Sequence, residues 1–312
     1  MDCVFERLVS ALEDLSAGRV DSRRVFHGRG RCFPGVEFLT IDLYHPVLSI
    51  VLFDEVPEAW EREFVARLSA LIVDTPIQGA LLQRRYDAGA PAEVIFGTIP
   101  EQVFARRGDQ RFHLKLGQRQ NSGFFLDMEP GREWLETRCE GKTVLNLFSY
   151  TCAFSVVALG AKAKHVVNVD MSRGALSQGR ENHRLNGLPA EGSKYLAENV
   201  LKSWGRIKRP GPYDLAVIDP PSYQPGSFVA KKDYLRVVRR IPELVKFGGE
   251  VLACLNAPEM GEAFLRRAFV EMCPECTFVE RLAPSPAFPD VDSDRQLKLM
   301  VFRYSPSAYA ST

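Results

Sequence analysis

The stretch Asp219-Pro220-Pro221-Ser222-Tyr223 carries the most chemically useful side chains in the tightest spacing. It closes an apolar run, Tyr213-Asp214-Leu215-Ala216-Val217-Ile218, that reads as a strand. Each proline fixes φ and removes a backbone donor, and the first also restricts Asp219 before it. The product is a stiff platform at the carboxyl end of a strand, which is where open α/β sheets bind ligands. A carboxylate there accepts a hydrogen bond from an amine, and the Tyr223 ring can stack on a flat heterocycle. The plainer alternative is a rigid turn with an ordinary acidic residue.

A second constellation lies upstream. The run from Val144 to Ser155 reads as a strand and the turn into a helix, with no glycine between Gly141 and Gly160. A dinucleotide site needs Gly-x-Gly-x-x-Gly here so that amides can approach a pyrophosphate. Ser149 and Thr151 instead suit a ligand without phosphates, whose carboxylate would sit at the helix start with help from the dipole. Asp170 ends the next strand, where a carboxylate can bind both hydroxyls of a ribose. Its alternative role is to cap the helix starting near Ser172. Asn199 follows a weaker third strand and is a candidate to read an adenine amine.

The elements that must position these residues follow from periodicity. From about residue 126 the pattern alternates strictly. Strands are expected at Thr143 to Phe148, His165 to Val169, Ser193 to Leu196, Tyr213 to Ile218 and Glu250 to Leu255. Helices are expected at Ala153 to Leu159, Gly174 to Asn186, Val200 to Ile207, Asp233 to Val245 and Glu262 to Glu271. That is a doubly wound parallel sheet, an α/β fold. Thr277 to Leu282 and Leu297 to Tyr304 are also strands, but a proline-rich link without a helix joins them, so they pair antiparallel. The preceding part, residues 1–125, reads as a smaller α+β domain. A helix is expected near residues 1 to 20, with Val4, Leu8, Leu12 and Leu15 on one face. A basic loop follows from Arg23 to Gly35, then paired strands within Val36 to Phe53 and a helix from Trp60 to Leu71. Leu81 to Tyr86 and Phe112 to Leu116 are further strands.

Hydrophobic residues at 46% and charged residues at 25% describe an ordinary globular protein, and a net charge of +1 confines any polyanion site to a local patch. No apolar run approaches a membrane span, and the amino terminus lacks a basic region followed by an apolar one. Seven irregularly spaced cysteines fit a reducing cytoplasm. Cys273 and Cys276 form the one close pair; without a second pair or suitably spaced histidines they point to structure, not to a metal.

Four motifs occur in order: Gln120-Asn121-Ser122-Gly123-Phe124-Phe125-Leu126-Asp127, Leu145-Asn146-Leu147-Phe148-Ser149-Tyr150-Thr151, Val169-Asp170-Met171-Ser172 and Asp219-Pro220-Pro221-Ser222-Tyr223. Over about residues 110 to 304 the chain resembles the S-adenosylmethionine-dependent methyltransferases of bacterial large-subunit ribosomal RNA bases, of the guanine-N7 and cytosine-C5 kinds. The resemblance implies a class I methyltransferase (Rossmann-like) sheet with a reversed last strand over residues 126–312, S-adenosyl-L-methionine as cofactor, and ribosomal RNA as partner. It places Phe125 and Asp127 at the cofactor's border and Asn146, Phe148, Ser149, Tyr150, Thr151, Asp170, Met171 and Asn199 against it. Asp219 would face both the methyl group and the substrate. Three departures stand out. Cys152 occupies a place where many relatives have glycine, Asn199 one where an acidic residue is common, and Glu129 one where an arginine often follows, for which Arg132 is the candidate substitute.

The acceptor atom decides the remaining chemistry. A pyrimidine C5 needs a cysteine to add to the ring. The position matching that cysteine is Asn256; Cys254 shares its side of the strand but lies about 6.6 Å deeper. A base nitrogen needs only orientation, for which Asp219, on its Pro220-Pro221 turn, Tyr223 and Asn256 are the candidates. Two basic runs, Arg106, Arg107, Arg111, Lys115 and Arg119, then Lys231, Lys232, Arg236, Arg239 and Arg240, could contact phosphates. The alternatives are a methyltransferase of a protein or small molecule, an inactive cofactor-binding module, and a nicotinamide oxidoreductase, which the missing glycines disfavour.

Overall fold

The computed structural model describes residues 1–118 and 121–305; Arg119 and Gln120 fall outside the described residues. Two compact units emerge, Met1–Asp127 with Ser285–Asp292, and Met128–Pro284 with Ser293–Thr312.

In the first unit, helix α1 (Asp2–Ser16) precedes strands β1 (Arg23–His27), β2 (Leu39–Tyr44) and β3 (Val47–Leu52). Helix α2 (Glu58–Ile72) leads to β4 (Gly79–Arg84) and β5 (Ala92–Gly97), and β6 (Phe104–Arg107) pairs with β7 (Gln110–His113) as a separate hairpin. The sheet order is β1-β2-β3-β4-β5. Only β3 and β4 run parallel, and α2 is the crossover that such a pair requires. Strict alternation sorts the strands' side chains: Leu39, Ile41 and Leu43 of β2, with Leu48, Ile50 and Leu52 of β3, share one core with the apolar stripes of α1 and α2. The intervening residues face away from it.

Arg23 to Gly35 is not a plain loop. Its first five residues form β1, because Phe26 is buried and Arg24 pairs with Asp42 across the ladder. The glycines that follow serve close approach. A Cβ on Gly30 would lie 1.7 Å from the Pro289 carbonyl oxygen, and the Val291 amide donates to the Gly30 carbonyl at 2.9 Å. That contact seats the proline-rich segment Ser285–Asp292 on the first unit. β5 and β6 carry no clear apolar alternation, which is why periodicity missed them.

The second unit starts with α3 (Glu129–Glu136), β8 (Thr143–Leu147), α4 (Ala153–Gly160), β9 (His165–Asp170), α5 (Arg173–Leu185) and β10 (Ser193–Ala197). It continues with α6 (Trp204–Lys208), β11 (Tyr213–Ile218) and a hairpin of β12 (Tyr223–Gln224) and β13 (Phe228–Val229). α7 (Ala230–Val238), α8 (Ile241–Leu244), β14 (Val245–Leu255), α9 (Glu262–Met272), β15 (Cys276–Arg281) and β16 (Lys298–Tyr304) complete it. The sheet order is β10-β9-β8-β11-β14-β16-β15. The first five strands are parallel, and β16 runs antiparallel to both neighbours. The expected reversed last strand is present, inserted between β14 and β15.

The long helix expected over Asp233 to Val245 divides, since Pro242 at the start of α8 cannot continue the hydrogen-bond ladder from α7. β14 begins at Val245, and its pairing with β11 slips across Gly248-Gly249. α3 and the β12–β13 hairpin were not foreseen. Cys273 and Cys276 are buried with their sulfurs 3.3 Å apart, and no group of three or more metal-ligating side chains occurs among the described residues. No helix among them is long and apolar enough to cross a membrane.

Candidate active site

Parallel pairing brings the candidate residues of the second unit to one edge. Ala197 is level with Asp170, Val169 with Leu147, Leu147 with Ile218, and Ile218 with Ala253. Phe148, Asp170 and Asp219 therefore emerge side by side at the next position, with Met171 two residues and Asn199 and Asn256 three residues beyond the level row. Strand order reverses between β8 and β11, so the Phe148–Cys152 loop and Asp219 flank the switch point, where such sheets bind ligands.

The loop after β8 has an unusual backbone. Phe148, Tyr150 and Cys152 have φ of 58°, 46° and 61°. Side-chain-bearing residues avoid this region at about 1–2 kcal/mol each. Three such residues in five persist only where the surroundings hold them. Asp170 supplies part of that hold: it accepts from the Tyr150 amide at 2.9 Å and from the Ser172 amide at 2.8 Å. Burial pushes its carboxyl upward and the two amide bonds oppose this. A carboxylate offers about four acceptor sites, so capacity remains for a vicinal diol. Ser172, not Asp170, caps α5, accepting from the Ala175 amide.

Beneath the loop runs a buried polar relay. The Gly179 carbonyl can only accept, so His183 Nδ1–H donates to it at 2.7 Å, and Nε2 must accept from Ser155 Oγ at 2.9 Å. Ser155 Oγ then accepts from Asn168 Nδ2 at 3.0 Å, and Asn168 Oδ1 from Asn146 Nδ2 at 2.9 Å. Every proton direction is forced. Asn182 adds a bond to the Thr151 carbonyl at 3.0 Å. Asn146, expected against the cofactor, is 1% exposed within β8 and acts on the loop through this relay. Asn168, Ser155, Asn182 and His183 were missed in the sequence, because their partners lie on other elements.

Ser149 and Thr151 are buried, and α4 starts without a side-chain cap, so the first-turn amides can receive an anion. Met171 is exposed. Asn199 Oδ1 accepts from the Leu201 amide. Its amide nitrogen, a donor, is thus the readier group, which suits an adenine ring nitrogen better than the amine.

Across the switch point, Asp219 is half-buried, Pro220 is buried, and Tyr223 stands 66% exposed on the hairpin. Phe148 packs edge-on against Phe228 of that hairpin at 5.0 Å. Tyr234, buried in α7, donates to the Cys254 carbonyl at 3.1 Å and reaches the Ile218 carbonyl at 3.5 Å. It ties together the strand ends that carry Asp219 and Asn256. The fully buried Lys298 donates to the Ala257 carbonyl at 2.9 Å, bracing the turn after the exposed Asn256. Cys254 lies in the core, and burial pushes the Cys152 thiol up to about 12. Phe125 and Asp127 belong to the first unit. The Glu129 carboxylate pairs with the buried Arg132 at 2.9 Å within α3.

The basic runs are partly neutralised. Arg236 pairs with Asp233 and Arg240 with Glu243, whereas Lys231 and Lys232 are exposed and make no ion pair among the described residues. Arg106 and Arg111 stand opposite each other on the β6–β7 hairpin.

The loop's packing and its relay can each be tested. A Cβ on Gly179 would sit 2.5 Å from Cys152 Sγ and 3.0 Å from its Cβ. Gly179→Ala should cost about 1–3 kcal/mol by overpacking. In a Cys152→Gly background, where the nearest remaining atom is the Thr151 carbonyl carbon at 3.4 Å, it should cost little or nothing. Equal costs in both backgrounds, measured by denaturant unfolding, would reject the pairing. Burial holds His183 below its ordinary value of 6.5. A depressed folded value leaves its stabilisation complete above about pH 6.5 and erodes it as pH falls from there toward the folded value. The stability difference between wild type and His183→Gln should therefore narrow from pH 7 to pH 5; a constant difference would contradict the neutral relay.

Comparisons with known proteins agree with this fold. The family model described as S-adenosylmethionine-dependent methyltransferase matches residues 23–303. A ribosomal RNA large subunit methyltransferase of Deinococcus radiodurans is 31% identical over 233 residues, covering 71% of this chain and 56% of that protein. Ribosomal RNA large subunit methyltransferase I of Aeromonas hydrophila is 31% identical over 196 residues, covering 61% and 49%. The chain thus spans about half the length of these curated relatives. Among solved structures, the candidate methyltransferase SMU.776, complexed with SAH, superposes with a TM-score of 0.85 at 23% identity, covering 96% of this chain and 80% of that one. At that identity the likeness is one of fold. With the reversed strand, the glycine-free loop and the match along most of its length, the chain belongs to the S-adenosylmethionine-dependent methyltransferase family.

Proposed function

We propose that this chain methylates a nitrogen of a base in large-subunit ribosomal RNA, with residues 126–312 performing transfer and residues 1–125 recognising substrate. One observation carries the reading: the Asp219-Pro220-Pro221 turn faces the Phe148–Cys152 loop across the switch point of the sheet. Bound at that loop, S-adenosylmethionine supplies an electrophilic methyl group on sulfur. Asp170 holds the ribose hydroxyls on its remaining acceptor sites. The open amides of α4, with Ser149 and Thr151, receive the amino-acid carboxylate, and Asn199 meets the adenine edge.

Such a transfer is an in-line displacement, so positioning does much of the work. Asp219 accepts a hydrogen from the acceptor nitrogen, or from its neighbour on the base edge, and turns the lone pair toward the methyl. Pro220 and Pro221 keep its carboxylate from swinging away. Exposed Tyr223 stacks on an extruded base, and Asn256 holds the base edge. A ring carbon is disfavoured, because Asn256 stands where an adding cysteine would be needed and Cys254 is enclosed in the core. The activity for which the two relatives are named supports ribosomal RNA as the substrate, and Lys231 and Lys232 offer phosphate contacts. A cytoplasmic location fits that substrate.

Labelled methyl should pass from S-adenosylmethionine to ribosomal RNA, and nucleoside analysis should find it on a base nitrogen. Label on a pyrimidine carbon, or only on protein, would overturn this assignment. Asp219→Ala should lower transfer about 10²–10⁴-fold while cofactor affinity stays close to wild type; surviving transfer removes Asp219 from the chemistry. Asp170→Ala should weaken cofactor binding about tenfold to a hundredfold, the worth of a charged hydrogen bond. An unchanged dissociation constant would exclude the ribose role.

A further inference from the structure

The first unit contains a chamber on its own sheet, whose wall includes Phe125 and Asp127, the two residues expected at the cofactor's border. Strand alternation turns one face of its sheet toward α1 and α2 and leaves the other face polar. Thr40, Asp42 and Tyr44 of β2 share that face with Ser49 and Val51 of β3 and Gln83 of β4, in ladder register. All six line a cavity of about 140 Å³, closed partly by Phe125 and Phe288. Pockets that enclose whole drug-sized ligands run to roughly 300–1,000 Å³, so this smaller chamber has the size for a single ring system.

Its polar wall is costly to maintain. Thr40, Asp42 and Gln83 are buried, and Arg24 makes a two-point ion pair with Asp42. Burying charges rarely stabilises a fold by more than an apolar replacement would. A few convergent polar groups in a cavity otherwise lined by Val51, Phe53, Phe124 and Phe288 fit the make-up of a ligand site.

Beside the chamber lies an unbalanced positive charge. Arg85 and Phe53 line the cavity. The Arg85 guanidinium lies 5.2 Å from the Phe53 ring centroid, and that of Arg29 lies 4.3 Å from the same ring. Neither makes an ion pair among the described residues, although Asp54 and Glu55 follow Phe53 in the sequence. Burial and the Arg29 charge both push Arg85 below its ordinary value. Two like charges on one aromatic platform are poised to be relieved by an anion, and the guanidinium fork matches phosphate oxygens.

We infer that the first unit binds one nucleotide of a single-stranded RNA, its base in the chamber and its phosphate on Arg29 and Arg85. This rests on the RNA reading above and deepens it. Asp42 and Gln83, with the Thr40 and Ser49 hydroxyls, supply acceptors and donors for a base edge, and Phe125 and Phe288 supply flat apolar walls. The sites differ in what they read: the second unit needs the reacting atom, whereas the first selects the strand.

The test uses the full chain and a fluorescein-labelled single-stranded oligoribonucleotide of mixed sequence, with affinity measured across a salt series. Melting temperature and S-adenosylmethionine affinity are followed in parallel. Arg29→Gln/Arg85→Gln should weaken RNA binding tenfold or more and flatten the log–log salt slope by about 0.7 for each phosphate no longer neutralised. Ser49→Phe, which fills the chamber, should weaken binding severalfold without changing the slope. Should Ser49→Phe melt early, Phe53→Leu serves instead, removing the platform of both guanidiniums and weakening binding with a flatter slope. Each variant should keep wild-type cofactor affinity. Wild-type RNA affinity in the double arginine variant, or in the chamber variants, would overturn this inference and leave the RNA reading standing. Failure of the wild-type chain to bind RNA at low salt would overturn both.

Discussion

The loop Phe148–Cys152, which has no glycine, must hold side-chain-bearing residues in a left-handed backbone, and much of the second unit is organised around that constraint. Phe148, Tyr150 and Cys152 together store roughly 3–6 kcal/mol, a large share of the 5–15 kcal/mol that stabilises a typical domain. The compensation is specific. Asp170 takes the Tyr150 amide, Asn182 takes the Thr151 carbonyl, and Gly179 makes room for Cys152 Sγ. The Asn146–Asn168–Ser155–His183 relay then locks β8 and β9 to α4 and α5, on which those contacts depend.

The same arrangement explains how a loop without glycine is kept rigid. A glycine-rich turn approaches its ligand closely because nothing intervenes, at the cost of entropy on ordering. Here the side chains at positive φ are themselves tethered. Phe148 is packed on Phe228 of the hairpin that follows Asp219, so the Phe148–Cys152 loop and the Asp-Pro-Pro turn lean on each other across the switch point. Tyr234 adds a second tie beneath, from α7 to the ends of β11 and β14. The two sides of the switch point are thereby held by one set of contacts.

The first unit solves a different problem by simpler means. Period-2 alternation separates a largely apolar sheet face, covered by two helices, from a more polar face that lines a chamber. Gly30 admits the backbone of Ser285–Asp292 against that unit, and this brings Phe288 to the chamber wall. A segment between the last two strands of the second sheet thus contributes a wall of the first unit's chamber.

Most of the α/β alternation was legible in the residues themselves, because apolar periodicity and turn chemistry are local. Thr143 to Leu147, Tyr213 to Ile218 and the two closing strands could be read directly, and so could the carboxyl-edge positions of Asp170 and Asp219. Short elements without an apolar stripe, such as β5, β6 and the β12–β13 hairpin, could not, since pairing and not pattern stabilises them. The partners of Asn146, Asn199 and His183 were also out of reach. Each partner is brought close by folding, and a polar side chain in a sequence does not announce whether it will meet a ligand, a backbone amide or another buried side chain. Sequence alone determined which residues stand at the ends of which strands; tertiary structure decided which of them face outward, because burial and hydrogen-bond satisfaction are properties of the packed neighbourhood.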